Sequence, residues 1–492
     1  MAEQVKVATT EDQFLKTGAQ YKESLRDGRD VWEGGHKVDD VTEHPALGPG
    51  IDLMAEMFDA QFDPELRDIT TYVDPVDGCR YSRSWQIPRT IQDLQDRRRL
   101  IEYTSLKTCG TFGRPPDLAP LVSVGLIARK PTFEGSNPPF AKNNPSFAKN
   151  IQSFYEYGRA NNWIMAEILV DPQTDRSRPS SESPALLRVT AQEESGIRVK
   201  GAKSVGSIAA QANGILFTNL NRPDFPPEAC IWAATPTASE GLRLLCREAV
   251  SHPGAASFDH PLASKGEEAD QLLVFRDVLI PNDFVFNVGD PDLVRLYGPV
   301  ILWVHWHILS RMWVKAKLFV GTAQAVVEAL GTFSIPQVRA AIADLIEYEQ
   351  TLKAFVIASE NLAFLSECGV MAPNMNMVTA GRLFSIASYP RIIHTVQEVC
   401  GQGLVMRFPE SMFDNPETGQ YLDELLPGND ITARDKVRLM NFAWDLTSSS
   451  LAGRTELFEN VNATPAPFLR ERLYAEVPKD EYLRMARDAA GV

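Results

Sequence analysis

The chain predicts an α+β fold, mostly α, in three consecutive parts: a helical part over residues 1–160, a small β-barrel part over 161–290, and a helical bundle with a tail over 291–492. Three observations predict it. Apolar residues recur at helical spacing on both sides of a middle stretch in which the period shortens to that of strands. Polar turns follow one another closely in that stretch, as a compact barrel or sandwich requires. A length of 492 residues also exceeds what one core usually supports.

In the first part, the segments from Ile91 (IQDLQDRRRLIEYTSLK) and from Phe147 (FAKNIQSFYEYGRANN) carry helical spacing, and the Pro-, Asn- and Ser-rich run between Glu134 and Ser146 reads as a loop. The β part offers short strand-like runs beginning near Trp163, Ala185, Asn213, Cys230 and Asp270. Long amphipathic stretches then start at Val300, Ile335, Ala380 and Asp430, and their short connections predict an antiparallel bundle.

Composition narrows the function. A net charge of −15 offers no basic face for nucleic acid or an anionic membrane. The most apolar run, around Val300–Val320, is broken by His305, His307, Arg311, Lys315 and Lys317, and the first residues lack a signal-like apolar core, so a soluble, cytoplasmic protein is expected. The cysteines form no CxxC or CxxxC pair, so no metal site is expected.

Several motifs bring together groups that could do chemistry. Arg99 and Tyr103 stand four apart on the Ile91 helix and therefore share a face, where a guanidinium and a phenol could hold an oxyanion; a surface Arg–Tyr stack has the same spacing. The turn Val170-Asp-Pro-Gln-Thr-Asp-Arg176 presents Gln173 and Arg176, suited to a polar ring edge or a phosphate, or else is a turn capped by its own Asp. Trp303-Val-His-Trp-His307 places two imidazoles on an apolar helix, and imidazole is the group most able to take a proton near neutral pH. No GxGxxG between strand and helix suggests a Rossmann site.

The N-terminal segment Ser24-Leu-Arg-Asp-Gly-Arg29, Val31, Val38-Asp-Asp-Val-Thr42 and His44-Pro45 resembles the opening of the oxygenase components of the 4-hydroxyphenylacetate 3-monooxygenase family. Later matches keep the same order over roughly residues 14–465: Gly113-Arg-Pro-Pro-Asp117, the Gln173–Arg176 turn, Gly201-Ala-Lys203 with Ser207, His305 with Arg311, and Gly453-Arg-Thr-Glu-Leu-Phe-Glu459. The resemblance implies an acyl-CoA dehydrogenase-like fold, usually a homotetramer. It also implies ortho-hydroxylation of a phenol by O2 and FAD, the latter delivered as FADH2 by a separate NAD(P)H-dependent reductase, through a C4a-hydroperoxyflavin. By the same resemblance Arg99 and Tyr103 would hold the phenol and His305 would act as base, with His307 in a supporting role. Gln173, Arg176, Ser207, Arg454 and Asn462 would seat the flavin.

The chain departs from the family pattern at Ala166-Glu167, where many members carry Thr-His. An acidic Glu167 would repel a substrate carboxylate and favour an amine or a neutral group. Together with the loop from Gly135 to Asn150, it also allows a substrate tethered to a carrier protein. A radical dehydratase of the 4-hydroxybutyryl-CoA type shares the fold, but it needs cluster-binding cysteines where this chain has Arg99 and Tyr103.

Overall fold

Each part is begun and ended by recognisable local chemistry. Thr90 opens the helix Ile91–Lys107 with a reciprocal capping box: its hydroxyl accepts from the Asp93 amide at 3.1 Å, and the Asp93 carboxylate accepts from the Thr90 amide at 2.9 Å. The longest helix, Leu302–Leu330, stops at Gly331, whose φ of +68° suits a residue without a Cβ. Pro336 then opens the helix Pro336–Asn361 at a position where no amide donor is needed. The computed structural model describes residues 12–136, 146–220, 222, 225–254 and 256–492. Most of the Gly135–Asn150 loop, residues 137–145, lies outside the described residues.

The strands in chain order are β1 (Asp30–Glu33), β2 (His36–Lys37), β3 (Thr71–Val73), β4 (Arg80–Ser82), β5 (Met165–Ile168), β6 (Arg188–Gln192), β7 (Gly196–Lys203), β8 (Gly214–Thr218), β9 (Ile231–Pro236), β10 (Leu242–Cys246), β11 (Gln271–Pro281), β12 (Val285–Val288), β13 (Phe364–Leu365) and β14 (Met371–Ala372). The expected barrel is corrected here. Among the described residues the middle part forms two open sheets, in the orders β2-β1-β10-β11-β7-β6 and β12-β9-β8-β5. Closure would require edge strands to pair, and the large sheet instead extends by taking β1 from the N-terminal part, parallel to β10 with Val31 opposite Leu244. A bulge between Phe275 and Val278, with Asp277 at φ +62°, bends β11 where its pairing with β10 ends, while its pairing with β7 continues on both sides.

The N-terminal motif proves to be a fastening. Buried Arg29 donates to the carbonyls of Ala210 and Ala212, both at 2.9 Å, and the Tyr21 hydroxyl donates to the Gln211 carbonyl at 2.7 Å. Arg26 ties its own turn together through Asp40 at 2.8 Å and Thr42 at 3.0 Å. These bonds satisfy buried carbonyls of the β part and fix the arm against it.

In the helical part, Leu302–Leu330 packs against Pro336–Asn361, Met375–Cys400 and Ile91–Lys107, so it forms the axis of the bundle. One continuous apolar core runs through all three parts, with a small satellite around Phe258, Phe413 and Val437. No described helix is long and apolar enough to cross a membrane.

Candidate active site

A cleft of about 1350 Å³ opens between the small sheet, the start of the bundle axis and the helices after Ser450. Its volume exceeds the roughly 300–1,000 Å³ of an ordinary small-molecule site, which leaves room for a dinucleotide and a second ligand together.

The wall nearest the β part is built by the turn after β5. Lys203, buried on β7, donates to the Leu169 carbonyl at 3.0 Å and pairs with Asp171 at 2.6 Å, which pins the turn. Asp175 caps it from within, accepting from the Ser177 amide at 3.0 Å and hydroxyl at 2.7 Å. Gln173 and Arg176 are then left exposed on the cleft wall.

Behind that wall lies a knot of charges. Arg454 pairs with Asp270 at 2.9 and 2.5 Å and also with Glu268. Arg247 joins Asp270 at 2.8 Å and Glu267 at 2.6 Å. Burial raises the pKa of Asp270, but Arg454, then Arg247 and the Ser207 hydroxyl, bring it below the usual carboxylate range. Ser207 gives its proton to Asp270 at 2.6 Å and does not line the cleft, whereas Arg454 does. The structure therefore places Ser207 as a support for the acid rather than on the open surface.

Glu268 accepts from the backbone amides of Gly113 and Arg114, the latter at 2.6 Å, so the knot also holds the Gly113-Arg-Pro-Pro-Asp117 turn. Gly113 is needed there, because a Cβ would lie 2.2 Å from the Phe458 ring. Phe458 begins a π-turn, Phe458–Asn462, which brings Asn462 to the cleft and is anchored by the buried pair Arg311–Glu459.

At the inner end, Arg114 lies over the Phe458 ring, 5.0 Å from its centroid, and its Nε is 3.7 Å from Glu167 Oε2. The Tyr297 hydroxyl donates to Glu167 Oε1 at 3.3 Å. Glu167 Oε2 is buried and has no hydrogen-bond partner. Burial raises the Glu167 pKa, and the opposing pull of Arg114 and Tyr297 only partly cancels it.

His305 sits one helical turn beyond the cleft residue Ile301 and is buried. Its Nδ1 accepts from Arg382 at 3.0 Å, while the other arm of that guanidinium donates to the Ala463 carbonyl. A guanidinium can only donate, so the neutral ring carries its proton on Nε2. Burial, then Arg382, Arg472 and Arg114, push the imidazole well below its ordinary pKa. The expected base thus presents a donor, not an acceptor. His307 is settled as a core residue: its Nε2 meets the Asp117 carboxylate at 2.9 Å.

Arg99 and Tyr103 are not brought to this cleft. Their shared face is turned away from it: Arg99 is half exposed with Asp96 at 3.8 Å, and Tyr103 lines a separate small cavity near Met57 and Trp163. Burial, then Glu56 and Asp63, push the Tyr103 phenol up to about 12. The cleft's inner end is lined instead by Arg114 and Tyr297, with Arg382 behind against His305. Arg114 was visible inside its Gly-Arg-Pro-Pro-Asp motif; Tyr297 and Arg382 carry no local signal and are placed by tertiary contact.

Models of the 4-hydroxyphenylacetate 3-hydroxylase N-terminal and C-terminal regions match residues 17–287 and 299–491. The chain belongs to this family. It is 36% identical, over 93% of its length and 87% of the relative's, to a 4-nitrophenol 4-monooxygenase/4-nitrocatechol 2-monooxygenase oxygenase component of Rhodococcus opacus. It is 34% identical, over 92% and 87%, to an FADH(2)-dependent monooxygenase of Burkholderia cepacia. A crystal structure of the oxygenase component of 4-hydroxyphenylacetate 3-monooxygenase complexed with FAD superposes with a TM-score of 0.89 at 29% identity, covering 96% of this chain and 98% of the other. These findings bear out the family resemblance.

Proposed function

We propose that this chain is the oxygenase component of a two-component hydroxylase that takes FADH2 from a separate NAD(P)H-dependent reductase and inserts oxygen from O2 ortho to the hydroxyl of a free, substituted phenol. The observation that carries this reading is one cleft with two chemically distinct ends. At its outer end the side chains of Gln173, Arg176 and Asn462 have no described hydrogen-bond or ion-pair partner and can meet an amphipathic, anionic cofactor. Reduced FAD bound there would supply the electrons that activate O2. Arg454 frames that end while holding Glu268 and Asp270.

The inner end suits an aryl oxyanion. Arg114 and Arg472 line it, and His305, neutral and protonated on Nε2, stands behind with Arg382. Cations near a phenol lower its pKa, and the anionic oxygen enriches the ortho ring carbon in electrons. The apolar walls, including Ile301, Val294 and Phe458, keep water from competing for the reactive centre. Glu167 in the same wall disfavours a substrate carboxylate, so nitro- or halophenols fit better than an aryl acetate.

The helix Asp480–Ala490 buries none of its residues and exposes Tyr482, Leu483 and Met485, which offers a face to another chain, and a homotetramer is the assembly the family resemblance implies. The function is tested by mixing the protein with FADH2 and oxygenated buffer in the presence of 4-nitrophenol, 2,4,6-trichlorophenol or 4-hydroxyphenylacetate. The two phenols without a carboxylate are expected to react at least about tenfold faster in kcat/KM, the equivalent of about 1.4 kcal/mol. Exclusive turnover of the acetate would overturn the substrate assignment, and no FADH2-dependent product from any phenol would overturn the function.

A further inference from the structure

Arg472 is a cation that the fold brings to the cleft and leaves without a counter-ion. It stands on Ala466–Glu476, a helix that buries Leu469 and packs against Met375–Cys400, so its backbone position is fixed. The guanidinium is partly buried, and its one described hydrogen bond runs from Nη1 to the Met375 thioether at 3.9 Å, a weak acceptor. Glu476, one turn further on, is exposed and forms no ion pair with it among the described residues. Gly298 makes room for the group in the cleft wall, because a Cβ there would lie 2.7 Å from Arg472 Nη2. Burial lowers the pKa of Arg472, and the attraction of Glu476 and Tyr297 offsets this only in part.

The other cations at this end are already engaged. Arg114 lies on the Phe458 ring, donates to the Gly113 carbonyl at 3.2 Å and has Glu167 at 3.7 Å. Arg382 is held between His305 and the Ala463 carbonyl. Arg114 and Arg472 both pull on the Tyr297 hydroxyl, so they reach the same end of the cleft from different parts of the chain. Glu167, the acid facing Arg114, carries at most one negative charge against these two guanidiniums. A ligand with a single anionic oxygen satisfies Arg114 and leaves Arg472 as it is, whereas a ligand with charge at two points meets both.

We propose that Arg472 is a specificity-determining residue that takes a second, charge-bearing oxygen of the substrate, on the ring substituent, while Arg114 takes the phenol oxygen. This rests on the phenol hydroxylase reading above. The substrate class is a nitrophenol. In 4-nitrophenolate the ring passes charge from the phenol oxygen to two nitro oxygens, which match the parallel donors of a guanidinium fork. A chlorine substituent accepts no comparable bond. A hydrogen bond to a charged group changes affinity by roughly 10- to 100-fold, enough to set the preference between two phenols of similar acidity.

The test compares 4-nitrophenol with 2,4-dichlorophenol at a pH where both are ionised, so that simple charge attraction is common to the two. Their affinities for the full, flavin-free chain are measured by calorimetry. The wild type should favour 4-nitrophenolate by roughly tenfold or more, and in Arg472→Met the ratio of the two affinities should fall by the same factor. Gly298→Ala keeps the charge but crowds Arg472 Nη2, and should lower the ratio by about threefold. Anaerobic titration with FADH2 should give one affinity for all three proteins. No preference for 4-nitrophenolate in the wild type overturns the proposal without recourse to any variant. Equal losses for both phenolates in Arg472→Met overturn it too, by reducing Arg472 to a charge. A lowered FADH2 affinity with an unchanged ratio overturns it by assigning the guanidinium to the cofactor. Discrimination that depends on Arg472, with no hydroxylation of either phenol, would support the site and count against the functional reading instead.

Discussion

Replacing Arg454 by methionine separates a direct flavin contact from a structural joint. Arg454 holds Asp270 through two bonds, at 2.9 and 2.5 Å, and Glu268 through a third, and the side chains of Arg454, Glu268 and Asp270 are 11%, 1% and 12% exposed. Removing the cation leaves two buried carboxylates with Arg247, the Ser207 hydroxyl and the Gly113 and Arg114 amides as their remaining partners. Breaking a buried pair from one side costs about 3–5 kcal/mol, and two acids facing each other place this case toward the upper end. The pH dependence has a definite sign. The net pKa of Asp270 is depressed in the fold, so its contribution is present above the unfolded value near 3.9 and is lost as pH falls through the folded one. The gap in stability between wild type and Arg454→Met should therefore be full at pH 7 and narrow at acid pH, once the wild-type carboxyl is also protonated. Urea unfolding followed by circular dichroism, at several pH values, measures both. A loss under about 1 kcal/mol, or one independent of pH, would show that Arg454 is not the joint, and a variant of normal stability that failed only to bind FAD would assign it wholly to the cofactor.

Two further outcomes follow from the placement of side chains. Arg99→Ala should change stability by no more than about 0.5 kcal/mol and leave kcat/KM on 4-nitrophenol unaltered, because Arg99 is half exposed and outside the cleft; a loss beyond tenfold would restore it to the active site. Lys315 is buried over Phe319 and Tyr389, and burial lowers its pKa to about 7 despite the attraction of Glu459. The unfolded chain binds the extra proton between about 7 and 10.4, so stability should rise with pH across that window, and Lys315→Met should flatten the slope and stabilise the protein at neutral pH; an unchanged slope in denaturation curves would refute this.

The helical blocks were legible because their signals are local. The Thr90–Asp93 box, the Gly331 stop and the Pro336 restart can each be read within four residues. Strand existence was legible too, but closure was not: whether β6 and β12 find partners depends on contacts hundreds of residues apart, and the pairing of Val31 with Leu244 leaves no mark in either segment. The site divides along the same line. Gln173, Arg176, Arg454, Asn462 and Glu167 come from motifs and do line one cleft. Arg99 and Tyr103 do not line that cleft, because helical spacing fixes which residues share a face, not the direction in which that face points. Tyr297 and Arg382 became visible only when β5, the bundle axis and the helix Met375–Cys400 met.

The motifs that identify the family also do different work from what their chemistry suggests in isolation. Arg29, Tyr21 and Arg454 direct hydrogen bonds at carbonyls or carboxylates of a neighbouring part, Ser207 steadies Asp270 from within the β part, and Glu268 passes the constraint on to the Gly113–Arg114 amides. The position of Arg114 over Phe458 is therefore set by the same knot that holds the π-turn and the start of β11 together. A joint of this kind restrains the inner end of the cleft, where a displacement of about 1 Å would cost a reacting pair a large part of its advantage. Change of substrate can then be achieved at positions the joint does not use. Glu167 is such a position: its described polar neighbours are Tyr297 at 3.3 Å and Arg114 at 3.7 Å, and it takes no part in the charges that hold the three parts in register.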